Sequence, residues 1–388
     1  MSVETVTLGC RLNFAESETL ARLAPAHADW VIVNSCAVTN EAVRQTRQAI
    51  RRAHRQRPSA KILVTGCAAE LDPSAFGAMD GVARVLGNSR KLNAFAANDA
   101  MTPVPAGLIA KVKSFVAIQT GCDHRCTFCS IWQARGPSRS LPFEPIRDAV
   151  AREIDRGAKE IVLTGVDITD YEGGLGKLCQ RLLAAEPRLK RLRLSSLDSI
   201  EIDAALHELV AGEPRLMPHF HLSLQAGDDL ILKRMKRRHN RADAVRTVER
   251  IKTARHDASI GADLIAGFPT ETEDMALNTL KLLDDCDIVA AHIFPFSPRP
   301  NTPATRMPQV ERDLVTERAA RLRAAAAEHR GRWLDSLIGG TQSVLVEGED
   351  HGHTDNFAPV GVSGAKRGET GKARITGRDG DRLTAVWA

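Results

Sequence analysis

The sequence predicts an α/β chain with three successive parts: an N-terminal open α/β sheet domain, a central partial (β/α)6 barrel and a C-terminal small β-barrel. Three observations carry this. Short apolar runs alternate with helix-patterned segments through residues 1–98, the arrangement of an open parallel sheet. Six further strand candidates with helical segments between them occupy about residues 113–333, without an obvious seventh and eighth, which falls short of a full eight-stranded barrel. Beyond Gly340 the pattern changes to β-rich runs broken by glycine at close intervals, as in a small β-barrel. The corresponding domain bounds are 1–100, 113–333 and 336–388.

In the first part, Val3–Leu8, Trp30–Val33, Lys61–Val64 and Val82–Leu86 are apolar enough to be buried parallel strands, and Asn40–Arg55 is the clearest helix. A cysteine stands immediately after each of the first three strands, in Gly9-Cys10, Asn34-Ser35-Cys36 and Gly66-Cys67. Ligand sites in open α/β sheets lie beyond the carboxyl ends of the strands. Parallel strands therefore bring Cys10, Cys36 and Cys67 to one edge as a candidate three-thiolate site, with three buried structural cysteines as the plainer alternative. The Pro/Gly-bearing segment Met101–Gly107 reads as a linker.

The barrel strands are Ser114–Gln119, Glu160–Leu163, Arg191–Leu194, His219–Leu224, Ser259–Ile265 and Ile288–Ile293. Chemistry in such barrels gathers at the C-terminal mouth. Polar and glycine residues follow these strands, in Thr164-Gly-Val-Asp167, Ser195-Ser196, Ser223-Leu-Gln225 and Asp263 through Ala266-Gly-Phe-Pro269. The first strand ends in Thr120-Gly-Cys-Asp-His-Arg-Cys-Thr-Phe-Cys-Ser130, which spaces Cys122, Cys126 and Cys129 as C-x3-C-x2-C with no fourth cysteine nearby. A structural zinc knuckle usually closes at four ligands with paired C-x2-C spacings. Three thiolates on a four-iron cluster instead leave one iron open to chelate a small molecule. In the last part, Gln342–Glu347, Phe357–Val362, Gly371–Ile375 and Leu383–Trp387 are the strand candidates, and the acidic residues there offset the six basic ones.

Composition bounds the function. The chain has 388 residues, 43% of them hydrophobic, with a formal charge of +5 and eight cysteines. Its start, Met1–Leu8, lacks a charged region followed by a long apolar run, and no stretch approaches the length of a membrane span. A cytoplasmic protein with reduced thiols is expected rather than a secreted disulfide framework. Charge is uneven. Arg44 to Lys61 holds cations and no acid, and Lys233 to Arg255 holds ten cations against Asp243 and Glu249. Such blocks suit polyanions, or are solvated helix faces. On Asn40–Arg55, the residues Arg44, Arg47, Arg51 and Arg55 align on one face, while Val43 and Ile50 share another that can pack against the sheet.

The Cys122/Cys126/Cys129 motif closely resembles that of the radical S-adenosylmethionine (SAM) enzymes. With Cys10, Cys36 and Cys67 ahead of it and a small β domain behind, nearly the whole chain is similar to the methylthiotransferases. Gly352–Phe357 is similar to a recurrent stretch of the TRAM domain. Gly165–Thr169, Arg193–Ile202, His221–Asp229, Met235–His239 and Phe294–Pro300 are most similar to the branch acting on threonylcarbamoyladenosine in tRNA. The resemblance implies two 4Fe–4S clusters and two SAM per turnover. The cluster at Cys122, Cys126 and Cys129 would reduce SAM to a radical that abstracts hydrogen from carbon 2 of the adenine. The cluster at Cys10, Cys36 and Cys67 would carry the inserted sulfur, and the second SAM the methyl group. Gly165, Val166, Asp167, Ser196, Ser223, Gln225 and Ile265 would line the SAM site. Arg44, Arg47, Arg51, Arg55, Lys236, Arg237 and Arg238 would contact tRNA. An external electron donor and a sulfur source are further partners. Cys179 and Cys286 read as packing residues. The rival readings are methylthiolation of isopentenyladenosine or of a ribosomal-protein side chain, and a metal-stabilised RNA-binding module.

Overall fold

The computed structural model describes residues 3–25, 29–91 and 112–388; the Met101–Gly107 linker lies outside the described residues. The N-terminal domain runs β1 (Val3–Thr7), α1 (Arg11–Leu23), β2 (Trp30–Ser35), α2 (Asn40–Gln56), β3 (Lys61–Gly66), α3 (Cys67–Leu71), α4 (Pro73–Gly77) and β4 (Val82–Val85). Its four strands pair in parallel in the order β1-β2-β3-β4. The central strands carry the unbroken apolar runs Trp30–Val33 and Ile62–Val64 because both faces are covered. Ile32 and Leu63 pack with Leu20 of α1, whereas Val31, Val33, Ile62 and Val64 pack with Ile50 and Ala53 of α2. The sequence pattern did not mark α1. Its buried face carries Asn13, Glu16, Ser17 and Thr19, so the helical apolar period is masked by buried polar groups.

The central domain continues with β5 (Lys113–Ala117), β6 (Gln119–Thr120), α5 (Ile131–Arg135), β7 (Arg139–Ser140), α6 (Phe143–Asp155), β8 (Glu160–Thr164), α7 (Leu175–Ala185), β9 (Leu192–Leu194), α8 (Ala204–Gly212), β10 (His219–Gln225), α9 (Asp229–Met235), α10 (Arg241–Ala254), β11 (Ser259–Ala266), α11 (Glu273–Asp285), β12 (Ile288–Pro295) and α12 (Arg312–Ser336). Two parallel three-stranded sheets, β5-β8-β9 and β10-β11-β12, meet through parallel bridges Leu192↔Leu216 and Leu197↔Leu222. The result is the six-stranded open barrel that the sequence predicts, with β5 and β12 at its edges. One face of the strands is the core: Val116, Ile161, Leu163, Leu194, Leu222, Ile260 and Leu264 bury against Val150, Leu182, Val248 and Leu282 of the helices. Because strand side chains alternate, the other face points inward, and it is polar, presenting Glu160, Arg193, His219, His221, Asp263 and His292.

The C-terminal strands β13 (Thr341–Val346), β14 (His351–Thr354), β15 (Pro359–Val362), β16 (Thr370–Asp379) and β17 (Arg382–Trp387) close into a barrel in the order β13-β14-β15-β17-β16. Strand β14 escaped the sequence reading, because its His351-Gly-His-Thr354 is polar and short. Its Gly352 lies against the neighbouring strand, where a Cβ would stand 1.9 Å from the Leu345 carbonyl oxygen.

Two polar joints tie the domains together. At the floor of the central barrel, the turn between β14 and β15 inserts Phe357, whose backbone φ is +71°. Its ring stacks on His219 and His353, with centroids 4.8 and 4.4 Å away. Lys113 Nζ and Arg193 Cζ lie 5.1 and 4.8 Å from its centre, within cation–π range. Ser259 Oγ donates to the Asn356 carbonyl at 2.6 Å, and Lys113 Nζ to Glu347 Oε1 at 2.7 Å. Beneath the ring, buried Glu160 accepts from Arg193 Nε at 2.8 Å and Arg191 Nε at 3.1 Å. Burial pushes the Glu160 carboxyl up, but Arg193, Lys113 and Arg191 outweigh it and leave it well below the usual carboxylate range.

The second joint links the first two domains. Glu16 of α1 pairs with Lys91 Nζ and with Arg135 of α5, whose Nη1 and Nη2 lie 2.8 and 3.0 Å from its two oxygens. Arg135 Nη2 also donates to Asn13 Oδ1 at 2.6 Å. All three charges are buried, with Glu16 8%, Lys91 1% and Arg135 4% exposed. Burial alone raises the Glu16 pKa, but Lys91 and Arg135 hold it below its ordinary value. Alongside, Ala134 and Ile131 of α5 pack with Ala68 and Ala69 of α3.

Two outcomes test these joints in the metal-free protein. Phe357→Ala lowers the thermal midpoint by the equivalent of about 2–3 kcal/mol, below the range for a fully buried ring; an unchanged midpoint would separate the β-barrel from the stability of the core. Glu16→Gln strands two buried cations and costs about 3–5 kcal/mol in denaturant unfolding. A loss within experimental error would show that the network adds nothing to domain cohesion.

Candidate active site

The six cysteines of the two predicted sets are placed by strand ends. Cys36 and Cys67 follow β2 and β3 directly, Cys10 follows β1 after Leu8 and Gly9, and Cys122 follows β6 after Gly121. The turns that do this need glycine. Gly66 has φ +94° and a Cβ there would stand 2.3 Å from the Ser35 carbonyl oxygen, while Gly121 has φ +78° and a Cβ 1.8 Å from that of Pro137. Only glycine enters that conformation freely, so Cys67 and Cys122 leave their strands abruptly at the rim. At the first turn, the space a Cβ on Gly9 would take is filled by Cys36, whose Sγ is 2.7 Å away.

Each set converges. Cys10, Cys36 and Cys67 lie within one another's electrostatic reach, as do Cys122, Cys126 and Cys129. Burial pushes Cys36 and Cys129 up to about 11 and Cys122 up to about 12, and each neighbouring thiolate adds repulsion. Cys10 keeps exposed surface at the open side of its set, yet desolvation raises its pKa too. Val38 N donates to Cys36 Sγ at 3.5 Å and Ile131 N to Cys129 Sγ at 3.3 Å, which favours thiolate at each. Three thiols drawn together where ionisation is penalised fit a metal centre, since bound cations reverse that penalty. Cys179 and Cys286, in contrast, are each 0% exposed in the apolar core.

The two sets also face one another. Cys67 lies close enough to Cys129 for its charge to act there, across the packed α3–α5 contact. Cations surround them. Arg135 acts on Cys10 and Cys67, and Lys91 lies within reach of Cys67. Asn88 bridges the group, its Nδ2 3.8 Å from Cys67 Sγ and its Oδ1 accepting from Lys91 Nζ at 2.7 Å. Buried Arg299 stands near Cys36 and donates to Asn40 Oδ1 at 2.7 Å. The sequence reading missed Asn88, Lys91 and Arg135 as site residues; nothing in their spacing signals that they meet.

The predicted SAM rim occupies the same mouth. Gln119 Oε1 accepts from Val166 N at 3.0 Å and Asp167 N at 2.9 Å, fixing the Gly165-Val166-Asp167 loop after β8. Asp167 accepts from Thr169 Oγ1 at 2.9 Å, lies 3.0 Å from His124 Nε2, and reaches Cys122 Sγ at 3.8 Å. Ser196 follows β9, Ser223 and Gln225 end β10, and Ile265 lies near the end of β11. Gln225 holds φ +69°.

Of the expected RNA contacts, Arg237 must be reassigned. Its side chain is 7% exposed, and it donates from Nη2 to Asp198 Oδ2 at 2.8 Å and the Ser223 carbonyl at 2.9 Å, with Nη1 3.6 Å from Cys126 Sγ. It ties the Cys122 loop to β10. The turn after α9 directs it inward, between Lys236 and Arg238, which are both exposed; Arg238 pairs with Glu201. On α2, Arg51 and Arg55 are exposed, Arg44 is held by Glu41 at 2.7 Å, and Arg47 lies over Phe76 at 5.7 Å. The buried face of α2 is Thr46, Ile50 and Ala53.

Comparison with known proteins adds the family. Residues 116–283 match the radical SAM superfamily, and residues 2–87 match the uncharacterized protein family UPF0004. The chain is 44% identical over 380 residues to the threonylcarbamoyladenosine tRNA methylthiotransferase MtaB of Rickettsia prowazekii, covering 92% of this chain and 90% of that protein. It is 32% identical over 381 residues to the tRNA-2-methylthio-N(6)-dimethylallyladenosine synthase of Erythrobacter litoralis, covering 88% and 85%. Among solved structures, the radical SAM methyltransferase TsrM of Kitasatospora setae aligns with TM-score 0.55 at 15% identity, over 76% of this chain and 69% of that one, a likeness of fold. The match to both family segments, with a cysteine set in each, and the 44% identity along nearly the whole chain establish that this protein belongs to the radical SAM methylthiotransferases.

Proposed function

We propose that this enzyme methylthiolates carbon 2 of N6-threonylcarbamoyladenosine next to the anticodon of tRNA, giving 2-methylthio-N6-threonylcarbamoyladenosine. The observation that supports the reading is that two separate three-cysteine sets lie across the packed α3–α5 contact, Cys67 within electrostatic reach of Cys129, in a chain whose 44% identical relative is named for that nucleoside. Carbon 2 of an adenine is neither acidic nor electrophilic enough for side-chain chemistry, so cofactors must supply the reactivity. When bound, a 4Fe–4S cluster on Cys122, Cys126 and Cys129 supplies one electron to SAM and a second on Cys10, Cys36 and Cys67 supplies sulfur, with a further SAM for the methyl group.

The residues of the chain do the rest. Gln119 holds the Val166–Asp167 amides in place through paired hydrogen bonds. Arg237 directs an N–H toward Cys126 Sγ and holds the Cys122 loop against β10 through the Ser223 carbonyl. Buried Lys91 and Arg135 offset negative charge, Arg135 at Cys10 and Cys67 and Lys91 at Cys67. Arg44, Arg47, Arg51, Arg55, Lys236 and Arg238 remain the proposed tRNA contacts, all of them exposed except the half-buried Arg47. An external electron donor and a sulfur source complete the partners. Among the described residues no helix is long and apolar enough to cross a membrane.

Two experiments test this reading. Replacing Cys122, Cys126 and Cys129 with alanine removes about half the iron and sulfide per chain and abolishes SAM cleavage. Replacing Cys10, Cys36 and Cys67 removes the other half and stops sulfur insertion while SAM cleavage stays measurable; repeated methylthiolation by that variant would refute the sulfur-donor assignment. Anaerobically reconstituted enzyme with SAM and a reductant should convert tRNA bearing threonylcarbamoyladenosine, as read by nucleoside mass spectrometry. It should leave isopentenylated tRNA and ribosomal protein unchanged, and preferential turnover of either would overturn the substrate.

A further inference from the structure

One layer below the strand ends that carry Ser223 and Ile265, three ionisable side chains meet inside the barrel. His221 Nε2 lies 3.0 Å and His292 Nδ1 3.2 Å from the same oxygen, Asp263 Oδ1. The two imidazoles lie against each other, with centroids 4.6 Å apart. Their placement is dictated by register. Asp263 and His292 are paired across β11 and β12, and Gly261 makes room for His221, whose Nδ1 a Cβ there would approach to 2.4 Å. The layer below is sealed by Phe357, His219 and Arg193. The cluster itself is open, since the His292 side chain is 61% exposed and that of Asp263 is 23% exposed.

Arg11 looks into the same space. It is the first residue of α1 and the neighbour of Cys10, and its charge acts on Asp263, Glu160 and Arg193. Among the described residues it makes no hydrogen bond or ion pair. Its half-buried guanidinium has five N–H donors and no acceptor, and these are open to a ligand. Asp263 can only accept, so each imidazole turns an N–H toward its Oδ1, leaving Oδ2 and His292 Nε2 for a ligand. A ligand group with a carboxylate for Arg11, and a hydroxyl and an N–H for Asp263 Oδ2 and His292 Nε2, completes every one of these. A purely apolar group satisfies none. The three groups are also spaced to hold a divalent cation, but Arg11 and Arg193 in the same space oppose one.

We propose that Arg11, Asp263 and His292, with His221 bracing Asp263, form the subsite for the N6 substituent of the substrate adenine and select one bearing a carboxylate and a hydroxyl. The position suits this, with Cys10 beside Arg11 and the SAM rim above Asp263. The assignment rests on the threonylcarbamoyladenosine reading and deepens it.

The test compares binding of three anticodon stem-loop RNAs to reconstituted enzyme, identical except for one nucleoside: threonylcarbamoyladenosine, its methyl ester, or adenosine. The wild-type protein should bind the first about tenfold more tightly than the other two, as one charge-assisted bidentate contact allows. Arg11→Met and Asp263→Asn should each erase that preference, with iron content and affinity for the adenosine RNA retained, and Arg11→Lys should restore part of it. A wild-type enzyme with no preference would overturn the substrate reading itself. Variants that keep the full preference would overturn the subsite alone. So would an equal loss on all three RNAs, which would assign Arg11 to backbone phosphates, or a stoichiometric non-iron metal that Asp263→Asn abolishes.

Discussion

A buried carboxylate held between two buried cations joins the two cysteine-bearing domains. Glu16 comes from the helix that follows Cys10, Arg135 from the helix that follows Cys129, and Lys91 from the end of the first domain. Each cysteine set is built within its own domain by strand ends and tight turns. Neither domain alone determines how far apart the two sets stand, or whether they share a cleft. The Glu16–Arg135 contact does, because buried opposite charges tolerate little displacement before the desolvation cost goes uncompensated. The small side chains of Ala68, Ala69 and Ala134 then allow α3 and α5 to pack closely beside it.

The same charges solve a second problem. Thiols gathered in a low-dielectric cleft resist ionisation, and those of Cys36, Cys122 and Cys129 are all pushed up by burial. Arg135, Lys91, Arg237 and Arg299 lie around the sulfurs with their charges directed inward, so the cations that join the elements also temper the field at the two sets. Arg237 shows the economy most clearly, since one guanidinium bonds Asp198 and the β10 backbone and still reaches Cys126.

At the opposite end of the barrel, the C-terminal domain does work that its resemblance to an RNA-binding module does not suggest. Its Gly352–Phe357 segment is committed to the floor of the neighbouring domain, where Phe357 lies between His219, Lys113 and Arg193. Fully wound barrels fill their interior with branched aliphatic layers. This one is incomplete and keeps Glu160, Asp263 and three histidines inside, so it needs both a seal below and charge balance within. The seal limits the depth of the lumen and leaves the polar layer at His221, Asp263 and His292 facing the mouth.

The parallel strands of the first two domains are legible along the chain to within a few residues, because a short apolar run bounded by glycine and polar residues is a local signal that tertiary packing respects. The two sets of three cysteines that the structure draws together are legible too, since spacing and strand-end position are both written along the chain. The local signal fails where buried residues are polar. Helix α1 was hidden by Asn13, Glu16, Ser17 and Thr19, and β14 by its histidines and glycine. Packing alone brings together residues remote in sequence: Glu16 with Arg135, Phe357 with Arg193, and Asp263 with His221 and His292. The direction in which a long cation points was also outside the sequence, as Arg237 and its exposed neighbours show. The physical reason is common to these cases. A charge enters the interior only where partners from other elements compensate its desolvation, and no local pattern records which partners folding will bring.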